Sequence, residues 1–262
     1  MIDLLFNFIP DKIKLINKHY YNNVSIRNFV YDSDTNFNWV DIFNDTCRLS
    51  NLQELNLYRT DESINELLLN LHMLPKLTKL TIWGYDNLTD DGIRNIPNTI
   101  QDLCLIFCFE ITHVAFSHFT NLTSLNIRYC PNVQELLTIN SINMRELSFF
   151  TNDYISDVLF ASISNLVNLE KISLNYCFSL TNEGLALITN FPKLRKLYMT
   201  DVLNLNIAES ESFLQTTTIS VIFISALFWK IYKVKNNAEL FIELDFQQII
   251  NEMNEMQEIA TE

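Results

Sequence analysis

The chain has 262 residues and 48% of them are hydrophobic, which is ample for one long core. The formal net charge of −13 argues against nucleic acid as a partner, because phosphate binding needs clustered Lys and Arg. Five cysteines are an odd count without the pattern of a disulfide framework, so we expect a reducing, intracellular compartment.

Residues 1–25 are predicted to form an N-terminal helical cap. Leu4, Leu5 and Phe8 recur at helical spacing, and the ends of a repeat protein must shield its core from water. Asp3 stands where a secretory signal would need a basic residue. We therefore expect this segment to stay with the protein as a cap.

Residues 26–226 repeat one phrase about nine times at intervals of 22–26 residues. Each copy has an apolar residue, followed three and five positions later by two more. The copies begin at Ile26, Leu52, Leu77, Ile100, Leu122, Met144, Leu169, Leu194 and Ile219. This period and pattern indicate a leucine-rich-repeat solenoid, in which each copy buries its strand only against its neighbours. The predicted fold is α/β, a horseshoe with a parallel concave sheet and helices or short helical turns on the convex side.

Each strand is followed by a turn whose residues recur. Cys108, Cys130 and Cys177 all lie three positions after the third apolar residue of their copies, so we predict that they are buried thiols. Thr89 and Thr181 precede short helical segments with acidic residues in the first turn. They are predicted N-caps, because a threonine hydroxyl can accept from the free N–H groups there.

Two copies, 77–96 and 169–188, carry the repeat and the helical segment together, and Gly92 and Gly184 fall where that helix would pack closely on its neighbours. The full pattern resembles the cysteine-containing subfamily of leucine-rich repeats, although Tyr85 replaces Cys in the first of these copies. That subfamily is best known from F-box substrate receptors of cullin-type ubiquitin ligases. We expect no full F-box in the short stretch before the repeats, so the resemblance does not carry ligase function with it.

The segment 213–229 has no charged residue and is followed by Lys230, which is near the short limit for a membrane span with a positive flank. However, Ile219, Ile222 and Ile224 continue the repeat register. We therefore predict a buried strand of the terminal repeat and no membrane partner.

Residues 227–262 are predicted to form a C-terminal cap strand, at 239–244, and an acidic helical tail. The Glu-rich end, 251–262, also has the composition of acidic type IV secretion signals, and deletion of residues 247–262 would test that role. This leaves open a second interpretation, in which the protein is a secreted effector of an intracellular bacterium.

Chemical sites were sought in the repeats. Cys104, Cys108, His113 and His118 have a spacing like that of a zinc site, but the register puts Cys104 and Cys108 on opposite sides of a strand. No glycine-rich phosphate loop or catalytic motif is present. We predict no metal, no cofactor and no enzymatic activity.

The register predicts an interaction surface, because side chains alternate along a strand and the residues between or just after the core positions face the concave side. The candidate partner-binding residues are Tyr58, Arg59, Trp83, Phe107, Arg128, Tyr129, Phe150, Tyr176 and Tyr198. Exposed aromatics beside Arg are typical of binding hot spots. An alternative is that some rings fold over the turn and cover the cysteine position.

The sequence therefore predicts a monomeric intracellular module that binds another protein on its concave face. Two alternatives remain. One is a substrate-recognition subunit of a ubiquitin-ligase-type complex, and the other is the translocated effector described above.

Overall fold

The computed structural model shows an open sheet in which each repeat contributes one strand beside the preceding one. The structure describes residues 28–32, 50–58, 64–134, 136, 139–150, 155–200, 220–225, 230–235 and 238–239. The predicted N-terminal cap and most of the predicted C-terminal cap and tail lie outside these residues. The predicted domain boundaries therefore remain predictions.

The described residues form eleven strands that neighbour one another in chain order. They are β1 (Asn28–Asp32), β2 (Glu54–Tyr58), β3 (Lys79–Trp83), β4 (Asp102–Ile106), β5 (Ser124–Arg128), β6 (Glu146–Phe150), β7 (Lys171–Asn175), β8 (Lys196–Thr200), β9 (Ser220–Ser225), β10 (Lys230–Lys235) and β11 (Ala238–Glu239). Strands β1 to β9 pair in parallel, and β10 and β11 continue the sheet in antiparallel fashion.

Short helices connect the parallel strands. They are the α-helices α1 (Ile64–Leu68), α2 (Asp90–Arg94), α3 (Val158–Ser162) and α4 (Asn182–Ala186), and the 3₁₀ turns Leu71–Met73, His113–Phe116 and Leu187–Asn190. A parallel strand followed by a short helical turn, repeated in chain order, is the predicted leucine-rich-repeat solenoid.

The core is built from equivalent positions of successive strands. The strand pairing aligns the second apolar residue of each copy, from Leu55 through Leu103 to Leu197, and these side chains are at most 5% exposed. Identical positions stack directly because parallel strands pair without a shift in register. One hydrophobic cluster therefore runs through all the repeats whose side chains are described.

The turn position behind each strand is also buried, as predicted. Cys108, Cys130 and Cys177 form no disulfide and have no exposed surface, and Tyr85 fills the same position after β3. Each thiol lies near the carbonyl oxygen two residues before it; the Cys130 Sγ is 3.2 Å from the Arg128 oxygen. The cysteines are therefore small buried groups that complete the turn.

The predicted threonine N-caps are confirmed, and each one is linked to the preceding repeat. The Thr181 hydroxyl accepts from the Glu183 N–H at 3.2 Å. The same residue donates its N–H and its hydroxyl to the carboxylate of Asp157, at 2.9 and 2.6 Å. Thr112 is held in the same way by Asp90, at 2.7 Å for both bonds. The caps therefore connect neighbouring repeats as well as starting their helices.

The predicted close packing at Gly92 and Gly184 is also confirmed. A Cβ on Gly92 would overlap the Asn65 side chain, and one on Gly184 would overlap Asp157. Both partners belong to the preceding repeat. Glycine is needed here because the preceding repeat leaves no space for a side chain.

The predicted register of β9 is wrong by one residue. Leu197 and Met199 pair with Val221 and Phe223, so the strand does not place Ile222 and Ile224 at the core positions. Every residue from Val221 to Ile224 is apolar, so hydrophobic periodicity could not fix the register there. The structure also forms β10 from the lysine-flanked segment after it, which the sequence pattern did not predict as a strand.

Candidate functional site

Six consecutive repeats, those of β2 to β7, each contribute one half-buried aromatic ring to a continuous row on the concave side. We call this row the aromatic stripe; its rings are Tyr58, Trp83, Phe107, Tyr129, Phe150 and Tyr176. With strands ~4.8 Å apart, five steps span ~24 Å. That length matches an extended peptide segment or the edge of a domain.

Neighbouring rings of the stripe contact one another. Phe107 and Tyr129 stack with centroids 4.4 Å apart and planes 12° apart, which is the closest of the five pairs. Tyr129 meets Phe150 edge-on at 5.5 Å, and Phe150 meets Tyr176 edge-on at 5.3 Å. Offset and edge-on pairs are the favoured aromatic geometries. The rings thus hold each other in place while one side of each remains accessible.

The aromatic residue of the stripe occupies one of two sequence positions in each repeat. Where the last residue of the strand is not aromatic, as at Ile106, Arg128 and Asn175, the next residue supplies the ring. Each repeat therefore keeps one ring although no single position is always aromatic. Ile106 itself is buried, although the alternation of side chains along β4 would place the last residue of the strand on the open concave surface.

Three rings of the stripe are carried on left-handed backbone. Phe107, Tyr129 and Tyr176 have φ of 54°, 53° and 55°, and the equivalent residue after β3 is Gly84 with φ of 79°. This conformation costs a non-glycine residue about 1 kcal/mol. A backbone hydrogen bond to the next repeat stabilises it, such as the Tyr129 N–H to the Phe150 oxygen at 3.0 Å. The fold retains bulky rings where glycine would be less strained.

Arg128 is the charged residue within the stripe. Its guanidinium carbon lies 6.0 Å from the centroid of the Phe150 ring, at the limit of a cation–π contact. Its Nε donates to the Asn126 Oδ1 at 3.2 Å. The arginine is therefore oriented from two sides.

Two of the predicted site residues stand apart from the stripe. Arg59 lies outside the described residues, so its place in the site remains a prediction. Tyr198 is half-buried on β8, and the Lys171 Nζ lies 5.7 Å from its ring centroid. It extends the concave surface by one strand without a described ring contact to Tyr176.

The remaining concave residues form a polar fringe at the start of the strands. Lys79 pairs with Glu54 and Lys171 with Glu146, both at 3.3 Å. Burial raises the pKa of Asp102 above its ordinary value, although the nearby Lys79 acts in the opposite direction. These two ion pairs neutralise part of the fringe, whereas Arg128 lies at the other end of the strands, beside the rings.

Cys104 lies on the concave side of β4 and differs from the turn cysteines in being half-buried. Burial raises the pKa of its thiol to about 11. A thiol in that state is a poor nucleophile at neutral pH. Among the described residues, no three His, Cys, Asp or Glu side chains are grouped to hold a metal ion.

Two contributors to the site were missed in the sequence. Phe109 and Phe178 lie two residues after the stripe rings of their repeats, and their centroids are 6.4 and 6.3 Å from Phe107 and Tyr176. Phe109 is 40% exposed. Both repeats have the order aromatic–Cys–Phe, and this shared pattern could have predicted the two residues from the sequence. Phe109 and Phe178 widen the stripe at two places.

None of the helices in the described part of the chain is long and apolar enough to span a bilayer. The predicted membrane alternative at 213–229 gains no support from the segment that is described, because Ser220–Ser225 is strand β9. Residues 213–219 and 226–229 lie outside the part of the chain that the structure describes.

Comparison with known proteins supports the fold. No family model matches the chain, and no curated protein matches it in sequence. Among solved structures it is similar to Rad7 in the crystal structure of the Rad7 and Elc1 complex in yeast, with a TM-score of 0.58 and 16% sequence identity. The match covers 81% of this chain and 60% of that chain. At this identity the likeness shows a leucine-rich-repeat-like fold.

Proposed function

We propose that the protein is a non-enzymatic interaction module that binds another protein through the aromatic stripe. The observation that carries this proposal is the continuity of the stripe, in which six successive repeats each keep one accessible ring. A solenoid core requires no aromatic residue on its concave side. Three of the rings also occupy a left-handed conformation that favours glycine, so their retention calls for a function outside the core.

Accessible, pre-oriented rings suit protein binding. Aromatic side chains and Arg supply most binding energy in many protein interfaces, because they bury large area and lose little conformational entropy. The rings fix one another through the contacts described above, and Arg128 rests near Phe150. A partner would thus meet a surface that needs little rearrangement.

Paired variants test this function. Partners should be identified with the wild-type chain by proximity labelling or pull-down, and their affinity measured for Trp83→Ala and Phe150→Ala. Loss of one hot-spot ring should weaken binding roughly thirtyfold. Val158→Ala, at a 54% exposed position on α3, is the control and should bind as the wild type does. A validated partner that binds both ring variants at full strength would place the interface elsewhere.

A second candidate is a subunit of a ubiquitin-ligase-type complex. It is favoured by the cysteine-containing repeat pattern and by the similarity to a protein solved in complex with Elc1. Because that similarity supports the fold alone, the role itself is a proposal. Co-purification of cullin machinery with the full chain from its native cell supports this candidate, and its absence while stripe partners are recovered supports the simpler module.

We propose that the protein acts inside a cell, because none of its described cysteines forms a disulfide and three of them are fully buried. Action as a translocated effector depends on residues 247–262, which lie outside the described part. Deletion of that segment should abolish translocation if the effector interpretation is right, and should leave binding to the stripe unchanged.

A further inference from the structure

We infer that the middle of the aromatic stripe binds an extended acidic peptide segment, in which an Asp or Glu side chain lies next to an apolar or aromatic residue. Arg128 would hold the carboxylate, and the rings of Tyr129 and Phe150 would contact the neighbouring side chain. This inference rests on the proposed function, because it assigns a partner chemistry to the same surface.

The first observation is that two lysines of the concave face, Lys79 and Lys171, already have carboxylate partners. Lys79 pairs with Glu54 across β2 and β3, and Lys171 pairs with Glu146 across β6 and β7. Each lysine thus meets a carboxylate of the adjacent repeat. These pairs lie at the start of the strands, away from the stripe at their ends.

Arg128 differs from these lysines. It is the last residue of β5, and the strand register places it between Ile106 and Phe150. Its described contacts are the Asn126 amide oxygen and the Phe150 ring. No carboxylate among the residues that the structure describes lies within ion-pair distance of its guanidinium.

The geometry of Arg128 suits a carboxylate. A guanidinium has five N–H donors in a planar fork, and the Asn126 contact uses only the one on Nε. Within the described part of the chain the four terminal donors have no hydrogen-bond partner, and such donors can bind carboxylate oxygens in pairs. The contact with Phe150 restricts the side chain before a ligand arrives, so less conformational freedom is lost on binding.

The net charge of the chain would not by itself favour an acidic peptide. A chain with net charge −13 would attract basic peptides at long range. Salt at physiological strength screens such attraction beyond about 8 Å. A preference for acidic peptides would therefore have to come from a local contact, and among the described residues Arg128 is the positive group beside the stripe rings.

The test uses random peptides displayed on phage through their C-terminal ends, so that only side-chain carboxylates are offered. The library is selected on the full wild-type chain, and individual peptides are then measured on Arg128→Gln and Arg128→Glu. Arg145→Gln is the matched control, because it removes the same group from an arginine that pairs with Glu170. Thermal unfolding of each variant confirms that it is folded.

The expected result is enrichment of Asp or Glu beside apolar residues, with binding weakened about tenfold or more by Arg128→Gln. Arg128→Glu should lose these peptides, and Arg145→Gln should retain them. Acidic peptides that bind Arg128→Glu normally, or selected peptides without an acidic excess, would overturn the inference.

The ring variants separate this inference from the proposed function. If Trp83→Ala and Phe150→Ala lose the peptides while Arg128→Glu keeps them, the stripe binds peptides but Arg128 is not the anchor. If neither ring variant weakens binding, the stripe is not the binding surface and both proposals fail. If the wild type enriches no peptide, the stripe does not recognise extended acidic segments.

Discussion

On the core side of the sheet, the same strand position is occupied by Leu or Ile in every strand from β2 to β8. On the concave side, the aromatic residue occupies either the last position of the strand or the position after it. The difference follows from the surroundings of each face. A core position is enclosed by the strands before and after it and by a helix, so its side-chain volume is fixed. A concave position is open on one side, so a ring can reach the same place from either of two residues. Core contacts are thus expected to determine stability, and stripe contacts to determine binding.

The largest effect on stability should come from truncating a core side chain. Leu147 and Phe150 belong to the same strand, and Leu147 is 1% exposed. Leu147→Ala should lower the free energy of unfolding by about 2–5 kcal/mol, because it leaves a cavity. Phe150→Ala should lower it by about 1–2 kcal/mol, because the half-buried ring loses its contacts with Tyr129, Tyr176 and Arg128 but leaves no closed cavity.

Denaturant unfolding followed by circular dichroism measures both values. Equal losses for Leu147→Ala and Phe150→Ala would mean that the ring is part of the core. That result would restore the alternative in which the rings serve to cover the turn.

The next effect should come from the contacts between repeats. A methyl group on Gly184 would overlap the Asp157 carboxylate and lie 2.9 Å from the Asp157 Cα, so the backbone would have to move. Gly184→Ala should therefore weaken the Asp157–Thr181 bonds and cost about 1–3 kcal/mol. At Gly92 the three nearest atoms are all in side chains, of Asn65 and Leu88, which can rotate away.

Gly92→Ala should accordingly be the milder of the two substitutions, and its reduced unfolded-state entropy should offset part of the loss. The two variants are compared by thermal and denaturant unfolding. A Gly92→Ala variant that is less stable than Gly184→Ala would show that backbone contact does not decide the cost.

Several features could be predicted from the sequence because they depend on chemistry that each repeat carries by itself. The alternation around Leu55 and Leu57 defines a strand, Cys130 fills a recurrent turn, and Thr181 caps a helix. Prediction failed at β9, where Val221 to Ile224 are all apolar and the alternation disappears.

The rest of the site depends on contacts between repeats. The bonds from Thr181 to Asp157 join residues 24 positions apart, and nothing in either repeat alone indicates them. The left-handed backbone of Tyr129 could not be predicted from the sequence either. Among the residues at this position after the strands, Gly84 is the only one whose type suggests a left-handed conformation. The sequence placed the rings on one face, and only the structure shows that they touch.

A smaller effect is expected from the left-handed positions. Tyr129 has φ of 53°, a conformation that glycine adopts without strain and alanine does not. Tyr129→Gly should thus be more stable than Tyr129→Ala by about 1 kcal/mol, although both lose the ring. At Phe150, which lies within β6, the order should reverse, because glycine in a strand costs about 0.5–1 kcal/mol relative to alanine.

Comparing the two Gly/Ala pairs isolates backbone strain from ring packing. Denaturant unfolding of the four variants gives the two differences directly. If alanine is the more stable residue at both sites, the left-handed turn carries no strain and the argument for functional retention of Tyr129 weakens.

The smallest effect concerns pH on the convex side of the solenoid. His118 is half-buried, its Nε2–H donates to the Ile96 oxygen at 3.1 Å, and its ring centroid lies 3.9 Å from that of Phe119. Burial lowers its pKa below the ordinary 6.5; the Ile96 and Ala115 carbonyls oppose this shift, and the Arg94 charge adds to it. As pH falls below about 6.5, the unfolded chain therefore takes up a proton at this residue before the folded protein does. Protonation then favours the unfolded state, so this contribution to the free energy of unfolding decreases through that range and levels off below the folded pKa.

The prediction is tested by measuring the free energy of unfolding between about pH 7.5 and pH 5.5 for the wild type and for His118→Gln. The difference between the two proteins should shrink as the pH falls, because glutamine does not titrate and every other group is common to both. The pKa of Asp102 is raised, so its carboxyl group holds a proton more readily in the folded protein than in the unfolded chain. Its contribution to the free energy of unfolding therefore increases as the pH falls, at a lower pH than that of His118. It cancels in the comparison. A difference that stays constant, or that grows as the pH falls, would show that His118 is protonated as easily in the folded protein as in the unfolded chain, or more easily.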